Sequence, residues 1–110
     1  MGAGLALLPF KIVHDPSADL GLGVHVFPAQ KYQLVADLLL AEGVATEGDF
    51  VLPGRATDAE ILRVHTPEYL EKVKTGRFSP MELRTLEVPW SEALANAVFI
   101  AAGATVEAAR

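Results

Sequence analysis

From Ser91 to Arg110 the chain carries charge only at Glu92, Glu107 and Arg110, and between them Leu94, Ala95, Ala97, Val98, Phe99, Ile100, Ala101, Ala102 and Ala104 leave it almost uniformly small or apolar. With Gly103 among them, these residues read as a final helix. A helix that is apolar all round must be covered on all sides. A chain of 110 residues with two candidate strands offers little to cover it with, so this segment predicts a larger protein or an oligomer that associates through the C-terminal helix.

Composition sets the outer limits. With 51% hydrophobic and 21% charged residues the chain can bury a core and falls in the range of one small domain. The net charge of −5 comes from acids scattered among basic residues, with no lysine or arginine run to track a phosphate backbone, which argues against a direct nucleic-acid partner. Zero cysteines exclude disulfides and thiolate metal ligands. The opening MGAGLALLPF has no basic segment ahead of its short apolar run, and no stretch is expected to reach the roughly 20 apolar residues of a membrane span. The expectation is a soluble cytoplasmic protein with no membrane partner.

Phe10 to His14 reads as a first strand, closed by Asp15-Pro16 and followed by a loop that runs to Pro28 and contains Gly21 and Gly23. From Ala29 to Glu42, Leu34, Val35, Leu38 and Leu39 recur at helical spacing, predicting a helix with that face buried and Gly43 as its left-handed stop. Phe50-Val51-Leu52 before Pro53-Gly54 reads as a second strand, and the order strand, helix, strand favours a parallel pair. Thr57 with Glu60 has capping-box spacing and predicts a short helix to about Val64. Thr66-Pro67 starts the next, with Tyr69, Leu70 and Val73 on its buried side before Gly76, and Ser79-Pro80 starts another.

Four stretches, in order, carry a resemblance. They are Ile12-Val13-His14-Asp15-Pro16, the segment from His25 to Tyr32 (HVFPAQKY), the run from Ala56 to Leu70 (ATDAEILRVHTPEYL), and Ala102-Gly103-Ala104-Thr105-Val106. Together they resemble the opening of a zinc-dependent deacetylase of the histone deacetylase and acetoin-utilisation superfamily. The resemblance implies an α/β fold: the N-terminal part of a three-layer α/β/α parallel-sheet domain of the arginase and deacetylase kind, mostly helical over residues 1–110. It implies a parent enzyme that removes acetyl groups from acetyl-lysine or another acetylated amine. In that family adjacent histidines act as acid and base, two aspartates and a histidine hold zinc, and a distant tyrosine stabilises the oxyanion.

None of that chemistry is legible in these residues. His14, His25 and His65 are far apart, and no adjacent pair exists. The expectation is a segment ending before the zinc-binding residues, without catalytic or metal-ligating residues of its own and inactive alone, zinc belonging to the full-length family protein. The resemblance marks three substrate-side positions. Glu87 falls where the family places an acid, usually aspartate, that holds the substrate backbone at the tunnel rim; the alternative is a solvated loop acid. Trp90 lines that rim or packs with its N–H paired. Lys31 sits where some members carry an arginine near the tunnel floor, or is an exposed helix lysine. His25 orients its loop or bonds backbone, His14 ends a strand and needs a partner for any chemical role, and His65 reads as a ring bonding backbone at a helix junction. A reading of a different class is a self-contained, homo-oligomeric structural or interaction module.

Overall fold

β1 (Ile12–Val13) and β2 (Phe50–Val51) pair in parallel, Ile12 opposite Phe50 and Val13 opposite Val51. The computed structural model describes residues 5–17 and 28–110; the expectations placed on Gly21, Gly23 and His25 lie outside the described residues. β-Branched and aromatic side chains favour the extended backbone at all four paired positions. A parallel pair needs a long crossover, which the helix between the strands supplies. The His14 N–H donates to the Val51 carbonyl at 3.1 Å, carrying the ladder one residue past β1. The strands are shorter than the sequence suggested, since Phe10, Lys11 and Leu52 stay outside the pairing.

α1 (Lys31–Ala41) stops as expected: the Gly43 N–H reaches the Leu40 carbonyl, and Gly43 turns left-handed at φ 73°. Its buried face differs from the expected one. Leu34, Val35 and Leu38 are more than half exposed, and Ala36 is the buried contact, with Leu39 and Leu40 half-buried beside it. A two-stranded sheet is too narrow to cover the whole apolar side of an 11-residue helix.

A 3-10 turn at Glu47–Asp49 leads into β2. α2 (Asp58–Ile61) is held by the expected box: the Glu60 N–H donates to the Thr57 hydroxyl at 3.1 Å, and the Glu60 carboxylate accepts the Thr57 N–H at 2.8 Å. α3 (Pro67–Thr75) starts on Thr66, whose hydroxyl accepts the Tyr69 N–H, and stops on Gly76 at φ 76°. Leu70 is buried and Val73 half-buried, while Tyr69 is exposed. α4 (Pro80–Leu86) starts on a second reciprocal box between Ser79 and Glu82.

α5 (Glu92–Ala109) starts on Ser91 and packs against β1 and α3. Leu94, Ala95, Ala97, Phe99, Ile100 and Gly103 are buried, whereas Ala93, Asn96, Ala101 and Thr105 face solvent. The helix is therefore covered on one side and not all round. Contrary to expectation, its 18 residues are long and apolar enough to cross a membrane by length and composition. Within this chain it serves as a core helix. Gly103 makes that possible: a Cβ there would run into the Gly54 carbonyl and come within 2.8 Å of the Ala56 nitrogen. Through this gap the Ala56 N–H donates to the Phe99 carbonyl at 3.0 Å. Arg55 lies over the Phe99 ring at 5.1 Å and donates to Asn96, closing the loop onto α5. The architecture is that of an α/β protein, with five helices and one small parallel sheet among the described residues.

Candidate functional site

The end of β1 holds the first cluster. His14 is half-buried there, and its Nε2 lies 3.1 Å from Gln33 Oε1 on α1. Gln33 Nε2 in turn donates to Asp37 Oδ1 at 2.8 Å. A carboxylate only accepts, so the amide nitrogen must face Asp37 and its oxygen His14, which assigns the His14 proton to Nε2. The partner that a chemical role for His14 required is thus an amide, which orients the ring but exchanges no proton with it. The ring edge also meets Phe50 at 6.5 Å. Lys31 opens α1 beside this cluster, exposed, with its ammonium 5.4 Å from the Tyr32 ring centroid. It borders a cleft of about 300 Å3 shared with Ile12, His14, Ala36 and Phe50.

The second cluster lies between α4 and α5. Glu87 ends α4 in the left-handed conformation, φ 63°, with its side chain exposed. Trp90 is half-buried; its indole N–H donates to the Val73 carbonyl at 2.7 Å, and its ring covers Gly76, where a Cβ would meet it at 2.7 Å. The hydrogen-bonding end of Trp90 is therefore committed to α3. Glu87 and Trp90 border one open cleft with Leu83, Val88 and Pro89. Two of the three positions singled out in the sequence are thus brought together, and Lys31 borders a different cleft.

His65 sits at the junction of α2 and α3 as expected. Its ring, however, packs on Tyr69 with centroids 5.0 Å apart instead of bonding backbone.

Sequence reasoning missed Asp49. This carboxylate is fully buried and accepts main-chain N–H groups from Leu7 at 3.0 Å, Leu8 at 2.9 Å and Thr46 at 2.9 Å. The Thr46 N–H leads in holding its acidity below the ordinary carboxylate value, against the opposing effect of burial, and Leu8, Leu7 and the Lys11 ammonium add to it. Thr46 to Asp49 has capping-box spacing, so half of this arrangement was readable; the reach back to Leu7 and Leu8 was not. Glu60 and Glu82 are likewise more acidic than usual. The Thr57 amide is the main cause for Glu60, and the Lys72 ammonium for Glu82.

Among the described residues no three His, Asp or Glu side chains come together as a metal-binding group.

A parallel strand pair among capped helices, with clefts at a strand end and at a helix-to-helix loop, is compatible with an α/β fold. The chain belongs to the histone deacetylase domain family, which it matches over residues 25–110. It is also 30% identical over 82 residues to an uncharacterized protein of Picosynechococcus sp.. That match takes in 74% of this chain and 27% of the relative, so the chain spans about a quarter of the relative's length.

Proposed function

We propose that the chain is the N-terminal part of a zinc-dependent deacetylase with a three-layer α/β/α domain, one that hydrolyses the amide of acetyl-lysine or of another acetylated amine. The family match across residues 25–110 is the observation that carries this reading. The zinc ligands and the acid and base belong, in this reading, to sequence beyond these 110 residues, consistent with a relative of which the matched 82 residues are only 27%.

Glu87 and Trp90 form the substrate side of the site. The exposed Glu87 carboxylate is suited to accept a substrate backbone N–H, and Trp90, its own N–H engaged, offers a ring face. The cleft they share supports this pairing. Lys31, next to the end of β1, takes the tunnel-floor position. The open apolar face of α1, Leu34, Val35 and Leu38, supports an extensive contact with further protein, either the rest of the domain or a second copy in a homo-oligomeric module.

The test is metal analysis with turnover on an acetyl-lysine reporter, comparing the 110-residue chain with the full product of its gene. About one zinc ion per chain and turnover in the full product alone are expected. A full product that neither retains zinc nor deacetylates refutes the reading. An active 110-residue chain refutes the assignment of the chemistry to other sequence.

A further inference from the structure

α3, α5 and the loop before α5 line a half-open apolar cavity of about 240 Å3, which meets the cleft at Glu87 only along Val88 and Trp90. Leu70, Leu94 and Phe99, all buried, form its floor, and Trp90 and Phe78 form a wall. His65 and Tyr69 also line it, and because both are exposed their stacked rings mark the side open to solvent.

The size and lining restrict what fits. Engineered cavities of about 150 Å3 lined by apolar side chains stay dry and take benzene, so this larger space suits a molecule of one or two fused rings. Water has no partners on the floor. The Trp90 N–H is bonded to Val73, so the indole offers only its ring faces. The polar groups at the rim are the His65 imidazole and the Tyr69 hydroxyl, enough for one polar substituent. A charged ligand would lose its hydration against an almost wholly apolar wall without an opposite charge among the lining residues.

We propose that this cavity is a binding site for a small uncharged aromatic molecule, inserted ring-first between α3 and α5 with its polar substituent at the His65 and Tyr69 rim. The proposal does not rest on the deacetylase reading: it shares Trp90 with the substrate side but needs neither Glu87, Lys31 nor a metal.

Indole serves as the probe, titrated by calorimetry and by thermal unfolding against the full protein, its Ala102→Phe variant and its Ala102→Leu variant. Ala102 lines the cavity from α5, so a larger side chain there occupies the ligand's space. Indole should raise the melting temperature of the parent with concentration, as a ligand of the folded state must. Ala102→Phe should weaken the cavity's affinity about tenfold or more, and Ala102→Leu should do so by less. Ala102→Leu carries the comparison if the larger ring disrupts packing. Equal affinity in the parent and in a folded variant overturns the proposal, as does no binding by the parent up to the solubility of indole.

Discussion

The Asp49 carboxylate accepts the Leu8 main-chain N–H at 2.9 Å across 41 residues of sequence, which fastens the segment before β1 to the turn before β2. Leu7 and Thr46 donate to the same carboxylate, and the Thr46 hydroxyl donates to the Leu5 carbonyl at 2.6 Å. A fully buried charge is stable only with such donors around it. Asp49→Ala leaves those amides unmet. It should lower the melting temperature more than alanine at any other acid in the chain. Hydrogen exchange read at Leu7, Leu8 and Thr46 should lose its protection in the variant. Unchanged protection there would show that the three amides do not depend on Asp49.

The same site sets a pH dependence. Asp49 is more acidic folded than unfolded, so the unfolded chain binds the proton more readily. The stabilisation is therefore fully present above the unfolded value of about 4 and is lost as pH falls through the lower folded value. Glu60 and Glu82 shift in the same direction and add to the slope. Melting temperatures followed from pH 6 downward should fall steeply below about pH 4. Asp49→Asn should flatten that fall, and an equal slope in both proteins would transfer the effect to the other acids.

Local signals carried most of the secondary structure. Thr57 with Glu60, Thr66 with Pro67, Ser79 with Pro80, and the glycines at 43 and 76 marked helix ends because caps act within a few residues of sequence. The parallel pairing of β1 and β2 followed from their order around α1. Contacts between distant residues were not legible. Nothing near Asp49 announces Leu8, and nothing near Gly103 announces the loop at Gly54 to Ala56. Periodicity found the apolar side of α1 but not which part of it meets the sheet, since that depends on how wide the sheet is. At the candidate site the sequence supplied Glu87, Trp90 and Lys31, while Gln33, which fixes the His14 tautomer, looked like any polar helix residue.

Gly103→Ala tests the close approach of the loop to α5. Alanine is better than glycine inside a helix by about 1 kcal/mol, so an open site would be stabilised. Here the added methyl meets the Gly54 carbonyl and the Ala56 nitrogen, backbone atoms that cannot swing aside. Overpacking should win, with a net loss of about 2 kcal/mol in urea unfolding. A gain would show that the loop does not sit in the notch.

Gly76→Ala combines two penalties. The left-handed backbone at φ 76° costs an L-residue about 1–2 kcal/mol, and the new methyl presses on the Trp90 ring. Displacing that ring strains the bond from its N–H to Val73. Tryptophan fluorescence, which has a single reporter in this chain, should shift to the red as Trp90 becomes wetter. Lost stability without a spectral change would separate the backbone cost from the packing.

Glu87 separates a structural role from a functional one. Apart from the glycines, it is the one described residue with positive φ, a conformation that glycine adopts without the Cβ penalty. Glu87→Gly should therefore raise stability by about 0.5–1 kcal/mol, because relief at the helix end exceeds glycine's extra freedom in the unfolded chain. If the carboxylate holds the substrate backbone, deacetylation by the full protein should fall in the same variant, chiefly through a raised KM. Greater stability with lower kcat/KM would mean that the strain is kept for recognition. Greater stability with unchanged kinetics would reduce Glu87 to a solvated cap, and the substrate-side assignment would then have to rest on Trp90 and Lys31 alone.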